Sequence, residues 1–453
     1  MLVRRLAVLS TALAAACAAP SDRRDDVPRP PNVVVLFTDD QGYGDLSCYG
    51  HPTIRTPHVD RLAANGAKLT QFYVAAPLCS PSRAALLTGC YPKRVGMHRH
   101  VIFPDYDHGL HPDEATLADV LRARGYATGC FGKWHLGHRP GLMPTDQGFD
   151  EFFGVPYSND MSRFHRAPDD PYRFRLPLMR GDEVVEWDPD QRLLPRRTTD
   201  AAVAFVERHA DRPFFVYVPF SMPHVPIYAS PEFEGTSARG RYGDVVEEID
   251  WSVGRLMAAL ERAGVARDTL VVFASDNGPW LPFGAARGSA GPLRGGKGTN
   301  WEGGQRVPCV VHWPARVPAG LVVHEVVTAM DLLPTIAACA GAALPAERVI
   351  DGHDVRPILF GEPGARSPTE QFLYYTNRGE LAGVRRGPWK LLLDSGELFH
   401  VEHDPGERRD VAHLFPEQVA ELRALAVRID AAITAAARPT LAVEAMLFDP
   451  AKP

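Results

Sequence analysis

Few cysteines, no long apolar run and no strong excess of either charge characterise this chain of 453 residues. The seven cysteines stand at Cys17, Cys48, Cys79, Cys90, Cys130, Cys309 and Cys339, and no two share C-x-x-C spacing. Thiols this scattered are no disulfide framework, leaving room for one or two bridges at most. A formal charge of −6, with no basic cluster interleaved with aromatics, argues against a nucleic-acid partner. Internal repeats and low-complexity segments are also missing. The 41 prolines and 39 glycines are spread along the chain, which fits many loops around a rigid scaffold. No apolar stretch is long enough to span a membrane.

What is present begins with an export signal. Residues 1–20 carry a positive start at Arg4-Arg5, a short apolar middle and small residues ending near Ala16-Cys17. Ala16-Cys17 also resembles a bacterial lipoprotein cleavage site, with Ala14 where Leu is usual, so a lipid anchor on Cys17 and a plain signal peptide both fit. The expected location is periplasmic, outer-membrane anchored or secreted. Residues 21–31 are charged and proline-rich, a linker. With 45% hydrophobic residues, the remainder can bury a large domain and a smaller one.

Asn32-Val33-Val34-Val35-Leu36-Phe37-Thr38 is a continuous apolar run of the kind seen in a buried parallel strand, closed by Asp39-Asp40. Leu270 to Ser275 repeats the pattern and ends in Asp276-Asn277-Gly278. Carboxyl ends of central strands are where open α/β sheets bind ligands. Converging there, Asp39, Asp40, Asp276 and Asn277 form an all-oxygen set that suits calcium best, while magnesium or plain hydrogen-bonded turns would also account for each motif alone.

Leu78-Cys79-Ser80-Pro81-Ser82-Arg83-Ala84-Ala85-Leu86-Leu87-Thr88-Gly89 predicts a tight loop feeding a short helix that Gly89 ends in a left-handed conformation. Cys79 then lies at the helix mouth with Arg83 four residues on, a place that favours an anion such as sulfate or phosphate. Read alone, Cys79 would be a small buried hydrophobe and Arg83 a surface charge. Elsewhere the pattern predicts helices over Thr56–Ala67, Ala115–Gly125, Arg192–His209, Val245–Gly264 and from Thr328 towards Gly341. Strands are expected at Ala127–Phe131, Pro213–Val218 and Val307–Trp313, and Gly284–Gly304 reads as a long glycine-rich loop. Lys133 and His135, two apart after a strand, would face one pocket if the chain stayed extended. Past the loop Gly352–Ser367, short strands at Phe372–Thr376, Leu381–Arg385, Trp389–Leu393 and Leu398–Val401 precede a long helix, Leu414–Ala436.

Cys-Ser-Pro-Ser-Arg followed by Ala-Ala-Leu-Leu-Thr-Gly resembles the signature of the type I sulfatases, closest to the arylsulfatase A and N-acetylgalactosamine-6-sulfatase branch. The resemblance implies an alkaline phosphatase-like α/β/α sandwich with a large, mostly parallel mixed sheet over 32–360. A small C-terminal unit over 361–453, with an antiparallel sheet and a long helix, would wall the cleft. It further implies that Cys79 is oxidised to formylglycine by a formylglycine-generating enzyme, and that the hydrated aldehyde attacks sulfur with one hydroxyl and expels the product with the other. Asp39, Asp40, Asp276 and Asn277, with the modified Cys79, would hold one Ca2+. Arg83 would help to hold negative charge, Lys133 would bridge sulfate and the diol, and His135 would take the proton that lets the sulfated intermediate collapse. Ser158, within Gly154-Val155-Pro156-Tyr157-Ser158-Asn159-Asp160, and Lys297, within Leu293-Arg294-Gly295-Gly296-Lys297-Gly298, would contact sulfate. His224, after Ser221-Met222-Pro223, would protonate the departing alcohol. The expected substrate is a sulfated carbohydrate or an aryl sulfate. A phosphate or phosphonate monoesterase on the same scaffold, or a non-catalytic binder of sulfated glycans, are the alternatives, and oligomeric state is left open.

Overall fold

In the computed structural model the described residues are 30–165, 170 and 173–451; the signal segment 1–20, with Cys17, and the linker up to residue 29 lie outside them. Asn32–Thr38 pairs in parallel with Phe214–Pro219 on one side and Thr269–Ser275 on the other, and all of its residues are buried. Its side chains alternate between two cores. Val33, Val35 and Phe37 pack with Leu86, Leu87, Leu121 and Ile336 of the helices Cys79–Thr88, Leu117–Ala123 and Leu332–Ala340. Val34 and Leu36 pack with Leu62, Val206, Ile249 and Leu256 of the helices Pro57–Ala64, Leu194–Arg208 and Arg241–Arg262. A run apolar on both faces is therefore what a sheet sandwiched between two helix layers requires.

Outward from this strand the sheet continues in parallel through Ala127–Lys133 to Glu151–Val155, then ends in the hairpin Pro177–Arg180 and Glu183–Trp187. On the other flank, Arg306–His312 runs antiparallel to both Thr269–Ser275 and Ala67–Tyr73. The result is the expected α/β/α sandwich around a mixed, mostly parallel sheet. Ala67–Tyr73 is a strand that the sequence reading passed over, ending the preceding helix at Ala67 instead of Ala64. The long helix begins at Arg241, four residues ahead of the expected start, because Gly240 takes a left-handed φ of 73° and breaks the chain there.

A second, antiparallel sheet comprises Gln371–Tyr375, Leu381–Arg386, Trp389–Leu392 and Leu398–His400. The helix Pro416–Ala435 buries Leu422, Leu425, Ala426 and Ile433 against it. Tyr73, Tyr91 and Met330 from the large-sheet region complete this third core. Among the described residues, no helix is long and apolar enough to cross a membrane.

Candidate active site

Parallel register sets the site. Thr38 lies opposite Ser275, so the two strands stop level with one another and the next residues meet. Asp276 N–H donates to Thr38 O at 3.0 Å, and Asp40 N–H donates to Asp276 Oδ1 at 3.1 Å. Asp40 takes a left-handed φ of 64°, a conformation costly for a residue with a side chain, of order 1 kcal/mol.

Onto these strand ends the helix Cys79–Thr88 presents its first residue. Leu78 caps it in an extended conformation, Gly89 closes it at φ 66°, and every residue of the helix is buried. Cys79 Sγ lies 3.4 Å from Asp39 Oδ1 and 3.4 Å from Lys297 Nζ. Burial, followed by the Asp39 carboxylate, pushes its thiol well above the ordinary range, so sulfur stays protonated and weakly nucleophilic.

Three carboxylates face three cations here. Arg83 donates to Asp276 Oδ2 from Nε at 3.0 Å and from Nη2 at 2.8 Å, lies 3.3 Å from Asp39 Oδ2, and also bonds the carbonyl of Lys133 at 2.8 Å. Its charge is thus paired with Asp276 and Asp39, acids that the fold, not i, i+4 spacing, brings up to it. Lys133 Nζ meets Asp39 Oδ2 at 2.5 Å and Ser158 Oγ at 3.1 Å. Lys297 Nζ spans both oxygens of Asp40 at 2.8 and 2.9 Å and lies 4.5 Å above the Trp280 ring. Burial and the Asp39 charge push Asp276 up to about 7 against the pull of Arg83. At Asp39 burial pushes the same way, but the fixed charges around it, Lys133 foremost and Arg83 and Lys297 with it, outweigh it and hold the carboxyl well below its usual range.

The histidines are neutral and oriented. His224 donates from Nδ1 to Val225 O at 2.6 Å, which leaves Nε2 as an acceptor 3.6 Å from Asp40 Oδ2. Burial, then Lys297, lowers its pKa. His135 donates from Nε2 to Ile102 O at 3.1 Å, and its buried Nδ1 has no partner. Burial, Lys133 and Arg83 hold it well below its ordinary value. Extended-strand alternation is not what places it: the strand stops at Lys133, and His135 has a φ of 65°.

Asp39, Asp40, Cys79 and His224 offer donor atoms within 4.8 Å of one another. Beside them Asn277 donates from Nδ2 to Asp40 Oδ1 at 2.7 Å and to Gly278 O at 2.9 Å, while its buried Oδ1 is unpartnered. Crowded carboxylates and an orphaned amide oxygen fit a hard cation. A cavity of about 1050 Å³ opens over this cluster, and Cys79, His135, Ser158, His224 and Lys297 all line it. Asp160 and Trp280 also line it and were missed in the sequence reading, although Asp160 stands two residues after Ser158.

The chain matches the family model described as Sulfatase over residues 31–342, and that of N-sulphoglucosamine sulphohydrolase, C-terminal, over 297–429. It is 39% identical to arylsulfatase A of Homo sapiens, covering 90% of each chain. It is 41% identical to N-acetylgalactosamine-6-sulfatase of Canis lupus familiaris, over 85% of this chain and 74% of that one. The crystal structure of PsFucS1 sulfatase from Pseudoalteromonas sp. superposes with a TM-score of 0.82 at 28% identity, over 91% of this chain and 92% of that one.

Proposed function

The chain belongs to the sulfatase family and hydrolyses sulfate esters, and from that premise we propose that its nucleophile is a hydrated formylglycine made from Cys79. The observation that carries this reading is the place of Cys79: the first residue of a buried helix, 3.4 Å from both a carboxylate oxygen and an ammonium, at the floor of the cavity. A protonated thiol there is a poor nucleophile, whereas an aldehyde hydrate supplies one hydroxyl for attack on sulfur and a second for releasing it. Replacing sulfur by oxygen also makes the donor set with Asp39, Asp40, Asp276 and Asn277 all-oxygen, which suits Ca2+. Bound there, the ion supplies fixed positive charge beside the attacking oxygen.

The chain's own groups do the rest. Lys297, which lines the cavity, and Lys133, buried behind it against Asp39 and Ser158, are the cations assigned to a sulfate seated over Cys79. The helix N-terminus adds free N–H groups aimed at the same anion. Arg83 acts one step behind, fixing Asp39 and Asp276. His135, with a free Nδ1 lone pair, accepts the proton that releases sulfate. His224 presents Nε2 to the leaving oxygen and can donate only once charged, which an incoming anion promotes. Removing one such electrostatic contact typically costs about 3 kcal/mol of barrier, roughly a hundredfold in rate.

The substrate is a sulfated carbohydrate or an aryl sulfate, in line with the names of the relatives, and the enzyme is matured by a formylglycine-generating enzyme and exported. A carbonyl-specific hydrazide should tag the active enzyme and leave Cys79→Ala untagged, and aryl sulfate should turn over faster than aryl phosphate. An untagged enzyme with full activity, or preference for the phosphate, would overturn the reading.

A further inference from the structure

The buried carboxylates and cations at the active site have a counterpart that the chemistry above does not use. Glu302, Lys390 and Glu407 are each fully buried. Lys390 Nζ lies 3.1 Å from Glu302 Oε1 and 2.7 Å from Glu407 Oε1. Tyr374 OH donates to Glu302 Oε1 at 2.9 Å and Tyr73 OH to Glu302 Oε2, with Arg306 3.5 Å from the same oxygen. Lys390 belongs to the four-stranded sheet, and Glu407 to the turn that follows it.

This network grips the segment that carries Lys297. Glu407 accepts the backbone N–H of Glu302 at 2.7 Å through its carboxylate and the guanidinium of Arg294 at 2.9 Å through its carbonyl. One residue thus holds both ends of the stretch 294–302. Between those ends lie Gly295, Gly296 and Gly298, with Gly295 and Gly298 at positive φ, and a chain this rich in glycine has no stiffness of its own. Two further hydrogen bonds fix its middle, Lys297 N–H to Pro279 O at 3.0 Å and Gly298 N–H to Pro77 O at 2.9 Å. Glu407 itself takes a φ of 50°, where glycine or asparagine would sit more easily. Its side chain is kept at some cost in backbone strain.

We propose that Lys390 and Glu407 are positioning residues for Lys297, setting from the second sheet where its ammonium meets the sulfate. The proposal rests on the reading of Lys297 as a sulfate contact. A buried ion network of this kind is a weak source of stability but fixes one geometry among several. A flexible lysine needs that, because displacement by about an ångström is enough to lose much of its effect.

The test is a double-mutant cycle read by kcat, KM and the inhibition constant of inorganic sulfate, with melting temperature alongside. Glu407→Ala should weaken sulfate binding and lower kcat/KM roughly tenfold in the native background, yet change either by less than about twofold when Lys297→Ala is already present. The charge-balanced pair Lys390→Met with Glu407→Gln, which avoids an uncompensated buried carboxylate, should behave the same way. Equal losses in both backgrounds, or a lowered melting temperature with unchanged kinetics, would make the network a structural tie only and overturn the proposal. If Lys297→Ala by itself leaves kcat/KM and sulfate inhibition intact, the reading of Lys297 fails first, which separates the two failures.

Discussion

Among the described residues, two of the clusters of buried charge are built to opposite ends. Around Glu302 both carboxylate oxygens have donors, from Tyr374 and Lys390 on one and Tyr73 on the other. Burial alone would raise this carboxyl, but Lys390, Arg385 and Arg306 together pull it down to about 2. Around Cys79 the same types of group leave loose ends. Asn277 Oδ1 and His135 Nδ1 are buried without partners, and burial with a neighbouring carboxylate pushes Asp276 up to about 7. The first cluster is closed on itself, as a joint between layers should be. The second is incomplete and opens on a cavity, as a place that takes a cation and an anion should be.

The contrast is tested most severely at the nucleophile. Cys79→Ala should abolish turnover, a fall of roughly a millionfold on the precedent of other deleted nucleophiles, while the thermal melt stays within a few degrees of the parent. A melt that collapses along with activity would mean that Cys79 is packing, not chemistry. Next in size, Lys133→Ala should lower kcat/KM about a hundredfold, near 3 kcal/mol of barrier, read by steady-state kinetics with an aryl sulfate.

The closed cluster should also respond to acid. Because the folded pKa of Glu302 lies near 2 and the free value is 4.5, its stabilisation is complete above about 4.5 and is lost as pH falls towards 2. By linkage the loss arises because the unfolded chain binds the proton more tightly than the folded one. Glu407, raised by burial and by the charge of Glu302 against the pull of Lys390, shifts the opposite way and offsets part of it. Urea melts at pH 7 and pH 3 should show this loss, and Glu302→Gln should flatten it. The exposed pair Arg255 with Asp200, at 3.0 Å, sets the lower limit: Arg255→Ala should change stability by less than about 0.5 kcal/mol.

Much of the site was legible because it depends on strand ends. Two apolar runs that stop at Thr38 and Ser275 are level in register, so the acids after them had to meet. Gly89 announced the end of the nucleophile helix in the same way. Directions of side chains were less legible. Arg83 sits on the turn that spacing assigns to it, yet its guanidinium goes to Asp276 and Asp39, which only the fold brings behind it. His135 escapes alternation through one left-handed residue, which no sequence period records. The strand Ala67–Tyr73 was hidden because its alternating pattern follows directly on a helix with only Asn65 and Gly66 between them. Least legible of all was the joint at Glu302, whose partners Lys390 and Glu407 are 88 and 105 residues away. Ion pairs over such separations leave no local pattern to read.

The central claim is chemical, that the sulfur of Cys79 is exchanged for a carbonyl oxygen in the working enzyme. Mass spectrometry of the peptide carrying Cys79, taken from enzyme with measured turnover, tests it directly. The account predicts a peptide lighter than the thiol form, in a fraction that tracks specific activity. A fully active preparation in which that peptide is wholly the unmodified cysteine would contradict it.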